Sequence, residues 1–166
     1  MTTEMTKRMW ASGFVNRWHS SMDHRLRNAQ DTDAAHAQRV TILVYRFWPL
    51  IDARWHIGTL DENIYAALVH DAPECVTGDS PHTAKKDFEL RAALGRMEGA
   101  WWEQINDVPV MTPIVKLCDI IDAIMFCREV APDLLERKDW KDDIAYTLGF
   151  AAQLGVRDEV EELIDG

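Results

Sequence analysis

The stretch Thr112–Val130, T-P-I-V-K-L-C-D-I-I-D-A-I-M-F-C-R-E-V, decides the fold class. Thr112 is a helix N-cap residue, and Pro113 suits the first helical position, where its missing N–H costs nothing. The apolar residues that follow run to Val130 with no Gly or Pro to stop them. Helical periodicity extends outward from this segment in both directions. A first helix is expected over residues 2–17, with Met9, Trp10, Phe14 and Val15 apolar, and a polar loop over 19–33. His36, Val40, Leu43, Val44 and Phe47 mark a second helix over 34–53, which Pro49 bends or shortens. Thr59 and Glu62 have capping-box spacing and open a third that reaches about His70 or beyond. Gly78, Asp79, Ser80 and Pro81 read as a turn. Further helices are expected over 83–104, 133–154 and 158–164. Alternating β-branched runs are nearly absent. The expectation is an all-α fold of about six to seven helices in one domain, residues 1–166.

Composition narrows the function classes. Hydrophobic residues at 47% and charged residues at 28% belong to a chain that folds rather than one that stays disordered. A net charge of −10 with no basic stripe argues against binding nucleic acid, although a bound metal and a few cations can still receive a small anion. The most apolar stretch, Val40–Ile57, is interrupted by Arg46, Asp52 and Arg54, so no membrane span is expected. The start, MTTEMTKRMW, lacks the apolar core of a signal peptide, which makes the cytoplasm the expected location. Cys75, Cys118 and Cys127 form no close pair and read as reduced core or near-core thiols. Trp48, Trp55, Trp101, Trp102 and Trp140 read as core or subunit contacts.

The residues that carry chemistry are scattered but alike. His36 lies in the second helix, His70 and Asp71 are adjacent at the end of the third, and Asp119 lies in the helix that begins at Pro113. Imidazole with carboxylate suits a divalent transition metal better than calcium, which prefers an all-oxygen shell. Any one of these histidines alone is more often a hydrogen-bonded residue than a ligand. Asp119, between Cys118 and Ile120, is a carboxylate within an apolar stretch, costly there unless paired or metal-bound. Asp122, one turn on, competes for the same role, and spacing does not separate the two. Glu74 lies four residues after His70, and if the helix continues its carboxylate returns to the same side.

The order His…His-Asp…Asp on successive helices resembles the HD-domain metal-dependent phosphohydrolases. The run H-D-A-P-E-C-V-T-G-D-S-P-H-T-A-K, His70 to Lys85, is similar to the 5′-deoxynucleotidase branch, whose pattern is approximately H-D-x-x-E-x-x-x-G-D-x-P-x-x-x-K. Arg17-Trp18 upstream of His36 and Lys116 before Asp119 also match, so the resemblance spans about residues 14–128. Two features depart from it: Ala35-His36-Ala37 replaces the frequent Glu-His-Ser, and Pro81-His82-Thr83 replaces Pro-Thr-Pro. The chain is short, and in that it is similar to compact bacteriophage enzymes that strip triphosphate from dATP.

The resemblance implies an HD-type helical bundle that removes phosphate from 2′-deoxynucleotides, as a monophosphatase or a dNTP (dATP) triphosphohydrolase. It implies a metal held by His36, His70, Asp71 and Asp119, with Zn, Co or Mn favoured and Mg, Ni or Fe admissible. Glu74 is expected to prime water, Lys85 to hold phosphate or act in catalysis, and Arg17 to clamp another phosphate oxygen. Asp79 and Trp18 are expected at the sugar, Asp79 on the 3′-hydroxyl and Trp18 against C2′. A homo-oligomer, dimer or higher, is expected, in the cytoplasm of a bacterium or of a phage-infected host. The alternatives are a non-catalytic nucleotide-binding helical module and an HD hydrolase of guanosine tetraphosphate.

Overall fold

The computed structural model describes residues 3–79, 87–103 and 111–165, except for the side chains of Glu4 and Met5. The fold is all-α, with no strand among the described residues beyond an isolated bridge between Asn16 and Thr32. The helices are α1 (Thr3–Ser12), α2 (His24–Arg27), α3 (Asp33–Phe47), α4 (Leu60–Val69), α5 (Glu74–Thr77), α6 (Phe88–Glu103), α7 (Pro113–Val130), α8 (Lys138–Leu154) and α9 (Arg157–Asp165), with 3-10 turns at Ala53–Trp55 and Pro132–Glu136. No helix among them is long and apolar enough to cross a membrane. The chain forms two compact units, Met1–Ala37 with Val69–Pro109, and Gln38–Leu68 with Val110–Gly166.

In the first unit α5 packs on α1 and α6. Ala72 and Trp101 are its buried centre, with Met9, Val69, Cys75 and Trp102 packed around them. The expected first helix stops early, at Ser12, because the chain must turn there: Phe14 and Val15 close i→i−3 bonds onto Ala11 and Ser12, and Val15 then accepts from the N–H of Asp33. The expected polar loop contains the short helix α2, capped by Asp23, whose side chain accepts from the N–H of Arg25 at 2.8 Å.

In the second unit α7 packs with α8 and α9. Val115, Leu117, Cys118, Ile121 and Cys127 are fully buried on α7. Thr112 caps α7 by accepting from Val115, as its spacing predicts, and its hydroxyl also donates to Asn63 Oδ1. That buried amide in turn donates to the carbonyls of Ile57 and Thr59, so its polar atoms are satisfied. The capping box at the start of α4 closes both ways: Thr59 N–H donates to Glu62 Oε2 at 2.7 Å and Glu62 N–H to Thr59 Oγ1 at 3.2 Å. Helix α3 ends at Phe47, ahead of Pro49. Helix α8 ends on Gly155, whose φ of 81° is the left-handed conformation that glycine adopts without strain. The expected helix over 133–154 is divided, because Arg137 is extended between the 3-10 turn and α8.

This unit also settles the use of one carboxylate. Asp122 is 2% exposed and receives Arg39 in a two-pronged pair, Nε to Oδ1 at 2.6 Å and a terminal nitrogen to Oδ2 at 3.1 Å. Arg39 also lies over the Phe126 ring, 5.0 Å from its centroid. Replacing Arg39 with Met strands the buried charge of Asp122, a change that costs about 3 kcal/mol. A urea melt should show the midpoint fall accordingly; an unchanged midpoint would mean that Asp122 has another counter-charge.

Candidate metal centre

The first unit brings three of the expected ligands together. Thr32 caps α3 by accepting from Ala35 N–H at 3.3 Å, which sets the first turn of the helix and places His36 within it. Helix α4 ends at Val69, and the chain then runs through a tight turn, with Ala72 N–H donating to Val69 at 2.9 Å and Glu74 N–H to Asp71 at 2.8 Å. Pro73 explains the break, since it has no N–H to donate and disfavours helical backbone at Ala72. His70 and Asp71 are therefore turn residues, and Glu74 starts a new short helix instead of continuing α4.

The geometry is close to an equilateral triangle. His36 Nε2 stands 3.2 Å from His70 Nε2, and each of these nitrogens is 3.2 Å from Asp71 Oδ2. The two rings are tilted 57° with centroids 5.1 Å apart, so they converge at their tips without stacking. The His36 side chain is fully buried, that of His70 is 3% exposed, and Asp71 keeps 25% of its side chain in contact with solvent. Neighbouring ligands on an ion with bonds of about 2.0–2.2 Å stand roughly 2.8–3.6 Å apart, tetrahedral or octahedral. The three donors fit such an ion. Two Nε2–H tautomers donating to Asp71 Oδ2 would satisfy the three atoms, and so would one shared divalent cation.

Beside this group lies a second set of contacts in the same unit. Arg17 pairs with the buried Asp31 at 3.3 Å, and the Trp18 indole N–H donates to the same Asp31 oxygen at 3.2 Å. The guanidinium of Arg17 sits 5.4 Å from the Trp18 ring centroid. Trp18 has a φ of 63°, a left-handed conformation that costs a bulky residue roughly 1–2 kcal/mol. Its backbone N–H donates to Asp79 Oδ2 at 2.5 Å, which fixes the strained turn. The three residues expected at the substrate, Arg17, Trp18 and Asp79, are thus joined in one network. Asp79, expected at a sugar hydroxyl, holds the Trp18 backbone with one of its oxygens.

Glu74 is buried, 7% exposed, directly after the turn that carries His70 and Asp71. Asp119 belongs to the second unit, where it accepts from Lys116 Nζ at 2.8 Å; with Asp122 committed to Arg39, it is the carboxylate of the two held by an exposed lysine. Lys85 lies outside the described residues.

Two residues escaped the sequence reading, Asp31 and Asp33. Asp33 is 5% exposed, and neither of its carboxylate oxygens has a hydrogen-bond partner among the described residues. Burial pushes its carboxyl up to about 7, with the charges of Asp71 and Asp79 adding to the rise and those of Arg17 and His36 opposing it. The available signal was its place three residues before His36, on the same helical face. It was masked because an acid in a first helical turn has an ordinary explanation in the helix dipole.

Comparison with known proteins gives no match: no family model, no curated protein and no solved structure matches this chain.

The Asp33 carboxyl gives a pH signature for the metal-free chain. Its folded pKa, about 7, exceeds the ordinary value of 3.8, so between these limits the folded chain retains a proton that the unfolded chain releases. Rising pH then removes stability. From pH 5 to 7, EDTA-treated wild type should lose about 2 kcal/mol relative to Asp33→Asn. Parallel stability curves for the two chains would place Asp33 in contact with solvent.

Proposed function

We propose that this chain is a metal-dependent phosphohydrolase acting on 2′-deoxynucleotides, as a 5′-monophosphatase or a dNTP triphosphohydrolase. The observation that carries the reading is the triangle of His36, His70 and Asp71, with its 3.2 Å edges. Two imidazoles and a carboxylate suit Zn, Co or Mn, with Mg, Ni or Fe admissible. Asp119 is the further ligand that the resemblance to HD-domain phosphohydrolases implies; the three donors of the first unit support the proposal without it.

A divalent ion held there would supply the charge that offsets phosphate oxygens and makes water a better nucleophile at neutral pH. The chain's own residues do the rest. Glu74, buried beside the ligand-bearing turn, accepts the proton of the attacking water, a role that contributes roughly 10²- to 10⁴-fold. Arg17, oriented by Asp31, supplies positive charge to a phosphate oxygen. Lys85 supplies a further cation in the same proposal. The Trp18 ring, held by Asp31 and Asp79, presents a flat wall to the sugar and excludes a 2′-hydroxyl. Water must reach the phosphorus, and the partial exposure of Asp71 supports an opening on that side.

We further place the protein in the cytoplasm of a bacterium or of a phage-infected host, as a homo-oligomer. Exposed Ile42 and Tyr45 on α3 and Tyr146 on α8 support a subunit contact.

A panel of deoxy- and ribonucleotides, as mono- and triphosphates, tests the proposal with Mn²⁺ or Co²⁺ against an EDTA-treated control. Phosphate or triphosphate should be released from deoxynucleotides only with metal, and Glu74→Ala should retain Co²⁺ while losing most of the turnover. Nucleotide binding with no product under any metal would instead mark a non-catalytic nucleotide-binding module.

A further inference from the structure

His19 follows Trp18 in the strained turn, and neither the fold nor the metal centre uses it. Its ring Nδ1 lies 3.0 Å from the carbonyl oxygen of Asn16. A carbonyl only accepts, so Nδ1 carries the proton, and in the neutral ring Nε2 is left as a bare lone pair. That nitrogen makes no hydrogen bond among the described residues, and the side chain is exposed.

Three further contacts fix the place of this lone pair. Gly78, with a φ of 69°, brings bare backbone up to the ring: a Cβ there would stand 3.5 Å from His19 Cε1 and 3.7 Å from Nε2. Ser20, next along the chain, donates its hydroxyl to the carbonyl of Asp79 at 3.3 Å. Asn16, whose carbonyl holds the ring, is bridged to Thr32, the residue that caps the helix bearing His36. The imidazole is thus set between Trp18, its neighbour in the chain, and the Gly78-Asp79 backbone. All of these residues belong to the first unit.

We propose that His19 Nε2 accepts a hydrogen bond from the exocyclic amine of the nucleobase, so that the site prefers adenine or cytosine to bases with a carbonyl oxygen there. The assignment rests on the reading of Trp18 and Asp79 as sugar contacts. The base is joined to the sugar at C1′, bonded to the C2′ against which Trp18 stands, so the residue after Trp18 suits the base better than the phosphate. An amine supplies the proton that the lone pair needs. A carbonyl oxygen supplies none, and two lone pairs then face each other. Water competes at an exposed ring, which holds the preference to about five- to tenfold.

The test reads the ring nitrogens directly. Long-range nitrogen–proton correlation spectra of the Zn²⁺-loaded chain are recorded at about pH 8, above the range in which imidazole ordinarily titrates. 2′-Deoxyadenosine, 2′-deoxyinosine and 2-deoxyribose are added separately; none carries a phosphate to hydrolyse. The free chain should show His19 protonated at Nδ1, and 2′-deoxyadenosine alone should move the Nε2 resonance. In turnover, dATP should exceed dITP in kcat/KM by about five- to tenfold, and His19→Phe, which keeps a ring without nitrogens, should abolish the difference. A proton on Nε2 in the free chain, or an equal response to all three compounds, overturns the base contact. Turnover of deoxynucleotides with no response at His19 overturns it too and leaves the hydrolase reading standing. Neither turnover nor response overturns both. A response to 2′-deoxyadenosine alone upholds the contact even where no phosphate is released.

Discussion

Three electron-rich atoms, two imidazole nitrogens and a carboxylate oxygen, meet with 3.2 Å between each pair in the first unit. The group has the spacing to hold one divalent cation, which is the proposal that the rest of the account depends on. The backbone around them is arranged accordingly. Thr32 fixes the first turn of α3 and so the direction of His36, while Pro73 ends helical geometry after α4 and lets His70 and Asp71 diverge from a turn. The buried Glu74 follows immediately, and the strained Trp18 turn is held by Asp79 and Asp31.

The second unit handles its buried polar groups differently. Asp122 is neutralised by Arg39, and Asn63 is satisfied by two carbonyls and a hydroxyl. Those two groups are closed within the protein. In the first unit, Asp33 has no such closure among the described residues.

Much of the helical pattern was legible because local chemistry decides it. The Thr59–Glu62 box and the Thr112-Pro113 start depend on neighbours within one turn, and both formed as their spacing predicts. Ends were harder to read. The first helix stops at Ser12 because Val15 is claimed by Asp33, a partner distant in sequence, and the chain between Pro132 and Leu154 divides at Arg137 with no Gly or Pro to announce it. His36, His70 and Asp71 could be singled out as a donor set because residue type carries that signal. The choice between Asp119 and Asp122 could not be made from spacing, since what engages Asp122 is Arg39, on another helix. Asp33 was invisible for a related reason: what distinguishes it is burial without a hydrogen-bond partner among the described residues, which no sequence displays.

The most direct measurement is X-ray absorption at the zinc edge on the chain loaded with one equivalent of Zn²⁺. Two imidazoles should ligate the zinc, with oxygen completing its coordination at about 2.0–2.1 Å, and His70→Ala should remove one of them. A shell of oxygen alone, or one that His70→Ala leaves intact, would contradict it.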